Sequence, residues 1–422
     1  MVTTIHVVII SHDGVGHVNA CLAVAERLIQ VGHRVSFVVN EQWKGRLEPY
    51  GVREVLVNDP QRNSNVDPAR DLAEKIVKMD LFEPNQPLVQ AMEIFEKFAP
   101  QQMETAQRLD IQLVQLLPEL KPDIIFIDYA VCFPAVVNYG CPWINVVSMN
   151  PLYYIDDDRA PPSFSGLSEM GDKTEWKQFR DAVSDVKRKS LKLYNNYFKQ
   201  KGITDYTDDS LVYNSKYLNI YGFPEELDYL ELRPLPPKWH RFDNLMRREK
   251  HIAAFELSDK LKEKPGKLIY FSLGSMGAAN VKNMNRLIDI LSKSNNRFIV
   301  SMGPMPEAIH LAENMWGQSN VQQIQVLPLV DLVITHGGNN TTTETFYFGK
   351  PMIVLPLGGD QLDNAQRVQD LGLGVRLDAY KCTNRELLTA IDTLLNDNIL
   401  TDRLKQISLR IQSDDMIEKT LQ

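Results

Sequence analysis

The densest collection of potentially reactive groups lies between Leu332 and Ala365, LVITHGGNNTTTETFYFGKPMIVLPLGGDQLDNA. A short apolar run ends at Thr335, two glycines follow, and Asn339, Asn340 and Thr341 stand where a helix must begin. Asn and Thr are favoured helix caps, and the unpaired N–H groups of a helix start form an anion site. His336 adds a donor beside that site. Gly337 and Gly338 let backbone come close to a phosphate. Glu344 falls one turn further along the same face, within reach of ribose hydroxyls. Gly358-Gly359-Asp360-Gln361 supplies a carboxylate and an amide suited to sugar hydroxyls, and Ser272-Leu-Gly274-Ser275-Met-Gly277 offers further backbone donors. An Asn/Thr-rich turn alone is commonly just a cap. The ordered set of strand, glycines, cap, Glu and GGDQ points to a diphosphate carrying a sugar.

A second cluster follows the first apolar run: Ser11-His-Asp-Gly-Val-Gly16-His17-Val-Asn-Ala20. A dinucleotide fingerprint requires a third glycine and an acid at the end of the next strand. Here the third glycine is missing and the next strand ends in Val39-Asn40, so that reading is set aside. His17 opens a helix, whose positive end is expected to keep the imidazole neutral near pH 7. A neutral ring could take a proton from an attacking hydroxyl, with Gly16 close to the donor. Such a base is oriented by a carboxylate on its other nitrogen. Asp128, ending the run Ile124–Ile127, is the candidate. His12, also near the strand end, is the competitor.

Short β-branched runs alternate with helical patterns in both halves, which predicts parallel sheets built from βαβ units. Strands are expected near residues 5–10, 35–39, 52–57, 124–127, 144–147 and 217–221, with long helical stretches over 68–117 and 173–201. The Pro-rich Leu232–Lys238 breaks the pattern, which resumes at KLIYFSLGS. The predicted organisation is an amino-terminal acceptor-binding domain (1–235), a linker (236–264), a carboxyl-terminal donor domain (265–405), and a final helix (406–422) returning to the first domain. Open α/β sheets bind ligands beyond their carboxyl strand ends, so both clusters should face one cleft.

The stretch from His336 to Gln361 resembles the donor signature of family 1 UDP-glycosyltransferases, and GHVNA around His17 resembles their GHxNP. The segment PDIIFIDYAVCFPAVVNYGCPWI likewise resembles the one carrying their activating Asp. The resemblance runs over nearly the whole chain. It implies an α/β GT-B fold, two Rossmann-like parallel-sheet domains facing a central cleft. It further implies inverting transfer of a sugar from a UDP-sugar to a hydroxyl of a small lipophilic acceptor. His336, Asn340 and Thr341 would then hold the diphosphate, Glu344 the ribose, and Asp360 with Gln361 the sugar, with Gly338 and Asn339 also at the UDP-sugar. Gln361 points to glucose. Two departures stand out. Asn320-Val321-Gln322-Gln323 replaces the usual aromatic-x-Pro-Gln base platform, leaving Gln323 for the base with Trp316 nearby, and Asn339 replaces the signature's Trp. Phe82, Phe133, Met149, Tyr153 and Tyr154 are candidates for the acceptor wall, and phenolics, flavonoids or xenobiotics are the acceptor classes suggested by family breadth. A non-catalytic, hydrolytic or epimerising sugar-nucleotide protein is the alternative.

Composition narrows the partners. The 422 residues carry 46 Lys and Arg against 54 Asp and Glu, a net charge of −8 without a basic stripe, so nucleic acid is a poor guess. Four scattered cysteines without metal spacing read as free thiols in a reducing compartment. The start, MVTTIHVVIISHDG, lacks a cationic leader and reads as a strand. No apolar run reaches the roughly 18 residues of a membrane span. A cytoplasmic, monomeric enzyme is therefore expected, without leader or anchor. It should need no cofactor and no metal, since helix ends can stabilise the leaving diphosphate.

Overall fold

A computed structural model describes residues 3–78, 86–204, 213–249 and 253–414. The first sheet contains β1 (His6–Ser11), β2 (Arg34–Asn40), β3 (Arg53–Val57), β4 (Ile124–Asp128), β5 (Trp143–Val147), β6 (Leu218–Gly222) and β7 (Trp239–Phe242), ordered β3-β2-β1-β4-β5-β6-β7. The second contains β8 (Leu268–Ser272), β9 (Arg297–Ser301), β10 (Met315–Gln318), β11 (Leu332–Thr335), β12 (Met352–Val354) and β13 (Gly374–Arg376), ordered β10-β9-β8-β11-β12-β13. All pairings are parallel.

These strands are nearly continuous apolar runs because helices cover both faces of each sheet. In β1, HVVIIS, every residue is buried. Val7 and Ile9 pack with the helix Val15–Gln30, while Val8 and Ile10 turn to the opposite face and meet the helices Ala99–Leu120 and Lys173–Gln200. The period of two assigns the two faces.

Six strands fall where the sequence predicts them. The seventh, β7, lies in the stretch read as the start of the linker. Its pattern, WHRF, is half-buried at His240 and Arg241, as an edge strand should be, and it follows the proline-rich turn that masked it. The helix Asn398–Ser413 ends with Arg410, which forks to Glu226 (2.7 Å and 2.6 Å) and Asp243 (2.8 Å and 2.9 Å) of the first domain. Phe82 lies outside the described residues. Among the described residues no helix is long and apolar enough to cross a membrane.

The domains are joined by more than a linker. One hydrophobic core runs from the second sheet to Tyr154, Tyr221, Phe223 and Tyr229 of the first domain. Buried Arg367 donates to the carbonyls of Leu227 (2.9 Å) and Asp228 (2.6 Å) and lies 4.6 Å from the centre of the Tyr229 ring. The Asp363 carboxylate accepts the N–H groups of Phe164 (2.7 Å) and Gly166 (2.9 Å), where the loop turns through left-handed φ values of 67° and 57°. Burial pushes the Asp363 carboxyl up to about 7, against the pull of those two N–H donors.

Candidate active site

In each sheet the strand order reverses beside the first strand, between β1 and β4 and again between β8 and β11. The reactive clusters sit at these two switch points, where the helices of neighbouring strands leave in opposite directions and open a crevice.

At the first, β1 and β4 run in register with Ser11 opposite Asp128. The chain then turns at Gly14 and starts a helix that carries His17 in its first turn. The His17 Nδ1 lies 3.1 Å from the Asp128 Oδ2 and 2.9 Å from the Ser148 Oγ. The Asp128 side chain is fully buried, whereas the His17 side chain keeps 25% of its surface. A carboxylate on Nδ1 fixes the proton there and leaves the Nε2 lone pair as the basic atom. Among the described residues the buried Asp128 Oδ1 has no hydrogen-bond partner, so the charge of that carboxylate falls on the histidine.

The expected effect of the helix terminus on His17 is outweighed. Burial lowers its proton affinity, but the charge and hydrogen bond of Asp128, with Asp360 across the cleft, raise it above the ordinary imidazole value. His12 is excluded by geometry. Its Nδ1 accepts the Gly14 N–H at 3.1 Å, so Nε2 carries the proton and donates to Gln102 Oε1 at 2.8 Å. Both nitrogens are used, and burial first, then the neighbouring His17 and Arg62, hold the ring well below its usual range. Ser148 was missed by sequence reasoning; its signal was its place just beyond the carboxyl end of β5.

At the second switch point, the helix Asn339–Tyr347 begins directly after the glycines that follow β11. His336 is wedged between glycines: a Cβ on Gly274 would lie 2.7 Å from its Cε1, and one on Gly338 2.6 Å from its Nε2. Gly274 has φ 67°, a conformation open to glycine. Burial lowers the His336 pKa to about 4. The ring is therefore neutral near pH 7, with its Nδ1 3.5 Å from the Thr335 Oγ1, and has a single N–H to donate. Ser275 is half-buried in the short helix Gly274–Gly277.

The other donor-site candidates contact one another or the first domain. Asn340 Nδ2 donates to the carbonyl of exposed Gly16 (2.7 Å), and Asn339 Nδ2 to that of Gly222 (3.1 Å). The Gln323 amide nitrogen reaches Thr341 Oγ1 (3.2 Å) and Glu344 Oε2, while its oxygen accepts from the Tyr270 hydroxyl (3.1 Å). The Asp360 Oδ2 accepts the Asn150 N–H (3.1 Å), and burial raises the Asp360 carboxyl. Gln361 Oε1 accepts the Leu357 N–H (3.0 Å). Trp316 packs edge-on against Phe255, ring centres 5.6 Å apart.

For the acceptor wall, half-buried Met149 and Tyr153 border two core clusters. Tyr153 stacks on Phe164 at 5.1 Å and meets Tyr154 at 5.3 Å, and burial pushes its hydroxyl up to about 12. Phe133 is fully buried behind Tyr129 and offers no surface to a ligand in this conformation.

Comparison with known proteins agrees with the two-domain reading. Residues 259–419 match the family described as UDP-glucoronosyl and UDP-glucosyl transferase. The chain is 25% identical over 418 residues to the NDP-glycosyltransferase YjiC of Bacillus subtilis, covering 95% of this chain and 92% of that protein. It is 22% identical over 428 residues to a Saccharomyces cerevisiae sterol 3-beta-glucosyltransferase, covering 96% of this chain and 34% of that one. This chain thus spans about a third of the fungal protein. The crystal structure of the glycotransferase of kitacinnamycin superposes with a TM-score of 0.70 at 17% identity, covering 100% of this chain and 98% of that one. The shared fold is GT-B.

Proposed function

We propose, from the match of residues 259–419 to the family described as UDP-glucoronosyl and UDP-glucosyl transferase and from the GT-B fold, that this chain moves glucose from UDP-glucose to a hydroxyl of a small lipophilic acceptor, with inversion. The observation that carries the reading is the His17–Asp128 pair opening onto a cleft whose far wall is Asp360 and the helix start at Asn339.

His17 Nε2 takes the acceptor hydroxyl proton as that oxygen bonds to the anomeric carbon. The bond from that carbon to the diphosphate breaks, and UDP leaves with the electron pair. Asp128 holds the Nδ1 proton and balances the imidazolium that forms. Charge growing on the leaving diphosphate faces the N–H groups at Asn340 and Thr341 and the positive end of their helix. None of these roles needs a metal. Asp360 and Gln361 hold the sugar, Glu344 the ribose, and Gln323 the base. Asp360 also lies close enough to His17 to raise its proton affinity, which brings the sugar and the base together. Support for a lipophilic acceptor comes from the apolar lining at Met149 and Tyr153 and from the sterol-glucosylating relatives. A cytoplasmic monomer suits this chemistry.

The test is UDP release from UDP-glucose by wild type and His17→Ala, with and without pooled phenolic and sterol acceptors. Acceptor-dependent release that disappears in the variant is expected. Equal release without acceptor would make the protein a hydrolase or epimerase, and near-normal turnover by the variant would remove His17 from the chemistry.

A further inference from the structure

The strap that leaves β7 crosses from the first domain to the second and carries an arginine directly onto the buried Glu344. Arg247 Nη1 lies 3.6 Å from Glu344 Oε1, and its Nε pairs with Glu249 two residues on. Backbone N–H groups of Arg248 (2.6 Å) and Glu249 (3.3 Å) donate to Glu26 on the helix that carries His17, which fixes the strap. The Arg247 and Glu344 side chains keep 12% and 2% of their surfaces.

A separation of 3.6 Å is an ion pair without a hydrogen bond. Among the described residues Gln323 satisfies Glu344 Oε2, and none donates a hydrogen bond to Oε1. A buried carboxylate without a cation would take up a proton and lose acceptor capacity. Arg247 opposes that uptake of a proton and, at 3.6 Å, does not itself occupy the Oε1 lone pairs.

Resting on the reading of Glu344 as the ribose acceptor, we propose that Arg247 is a positioning residue for donor recognition. It holds Glu344 ionised, with one oxygen open, so that the site distinguishes a ribonucleotide from a 2′-deoxyribonucleotide. Charge neutralisation and hydrogen bonding are thereby divided between two partners: the strap supplies one, the bound sugar the other. Burial raises the Glu344 carboxyl, with Arg247 opposing and Glu249 of the strap reinforcing that rise; Tyr270 of β8 lies near Glu344, and Tyr50 faces Arg247 and Glu249.

The experiment is calorimetric titration of UDP and 2′-deoxy-UDP into wild type, Arg247→Ala, Arg247→Gln and Arg247→Lys, with melting curves as a folding check. Wild type should bind UDP about tenfold more tightly than 2′-deoxy-UDP. Arg247→Ala and Arg247→Gln should weaken UDP by at least about tenfold, with the ratio falling toward one, and Arg247→Lys should restore it. Variant affinity for UDP should also fall as pH is lowered through the raised Glu344 pKa. If Arg247→Ala does not fold, Arg247→Gln carries the test, since it keeps bulk without charge. Wild-type binding and an undiminished ratio in the variants would overturn the role of Arg247 and leave the transferase standing. So would tighter UDP binding without the arginine, which would make it a plug. No UDP binding by wild type would remove both.

Discussion

The two switch points share a topology and differ in how their polar groups are matched. At the first, His17, Asp128 and Ser148 already stand in the geometry that proton transfer requires, and one face of the ring opens to the cleft. At the second, most groups suited to a sugar nucleotide are turned to protein partners: Asn340 to Gly16, Asn339 to Gly222, Glu344 to Gln323 and Arg247. A base works by fixed proton geometry and gains from being held rigidly. A diphosphate site must exchange hydrogen bonds with a ligand that arrives and leaves, and it can do so at small net cost if each bond is traded for another.

The comparison can be broken first at His17, where the preformed geometry predicts the largest effect. His17→Ala should reduce acceptor-dependent kcat by at least about 100-fold while UDP affinity, read by calorimetry, stays within about twofold. A parallel loss of affinity would merge the two sites. Asp128→Asn should cost about tenfold or more in kcat and also move the pH profile. His17 acts deprotonated, and its pKa is raised, so the acid limb of kcat should lie above the ordinary value of about 6.5 and the rate should fall as pH drops through it. Removing the Asp128 charge shifts that limb to lower pH; an unshifted limb would disconnect the pair. Asn340→Ala probes the other kind of site. It should weaken UDP by roughly fivefold, the scale of one traded hydrogen bond, with kcat nearly unchanged. EDTA should have no effect, and a loss restored by magnesium or manganese would contradict leaving-group stabilisation by the helix end alone.

Parts of this were legible in the sequence because they are local. Strands β1 to β6 follow from short β-branched runs, as do β8, β9, β11 and β12, while β10 and β13 lack such runs; the helix start at Asn339 follows from glycines preceding Asn and Thr. Asp128 could be chosen as partner to His17 because parallel pairing sets β4 beside β1. What was hidden depends on contacts across hundreds of residues, such as Asn340 to Gly16 or Arg367 to Leu227, which no local pattern encodes. The edge strand β7 was obscured by prolines before it and by polar residues within it. Arg247 was hidden for a different reason: an arginine in a charged run, MRREK, reads as solvated until folding buries it against Glu344. The field on His17 was misjudged because the helix end was weighed above the charge and hydrogen bond of Asp128, to which Asp360, 343 positions away, adds.

Arg410 gives the last helix a mechanical meaning. The polypeptide joins the two halves once by covalent passage after β7, and the fork of Arg410 onto Glu226 and Asp243 fastens them a second time near the same edge. These two fastenings add to the shared core and to the Arg367 and Asp363 contacts, so the halves are braced along an edge as well as through their middle. Asp360 is thereby held at a set bearing on His17, so alignment between sugar and base is inherited from the bracing of the frame.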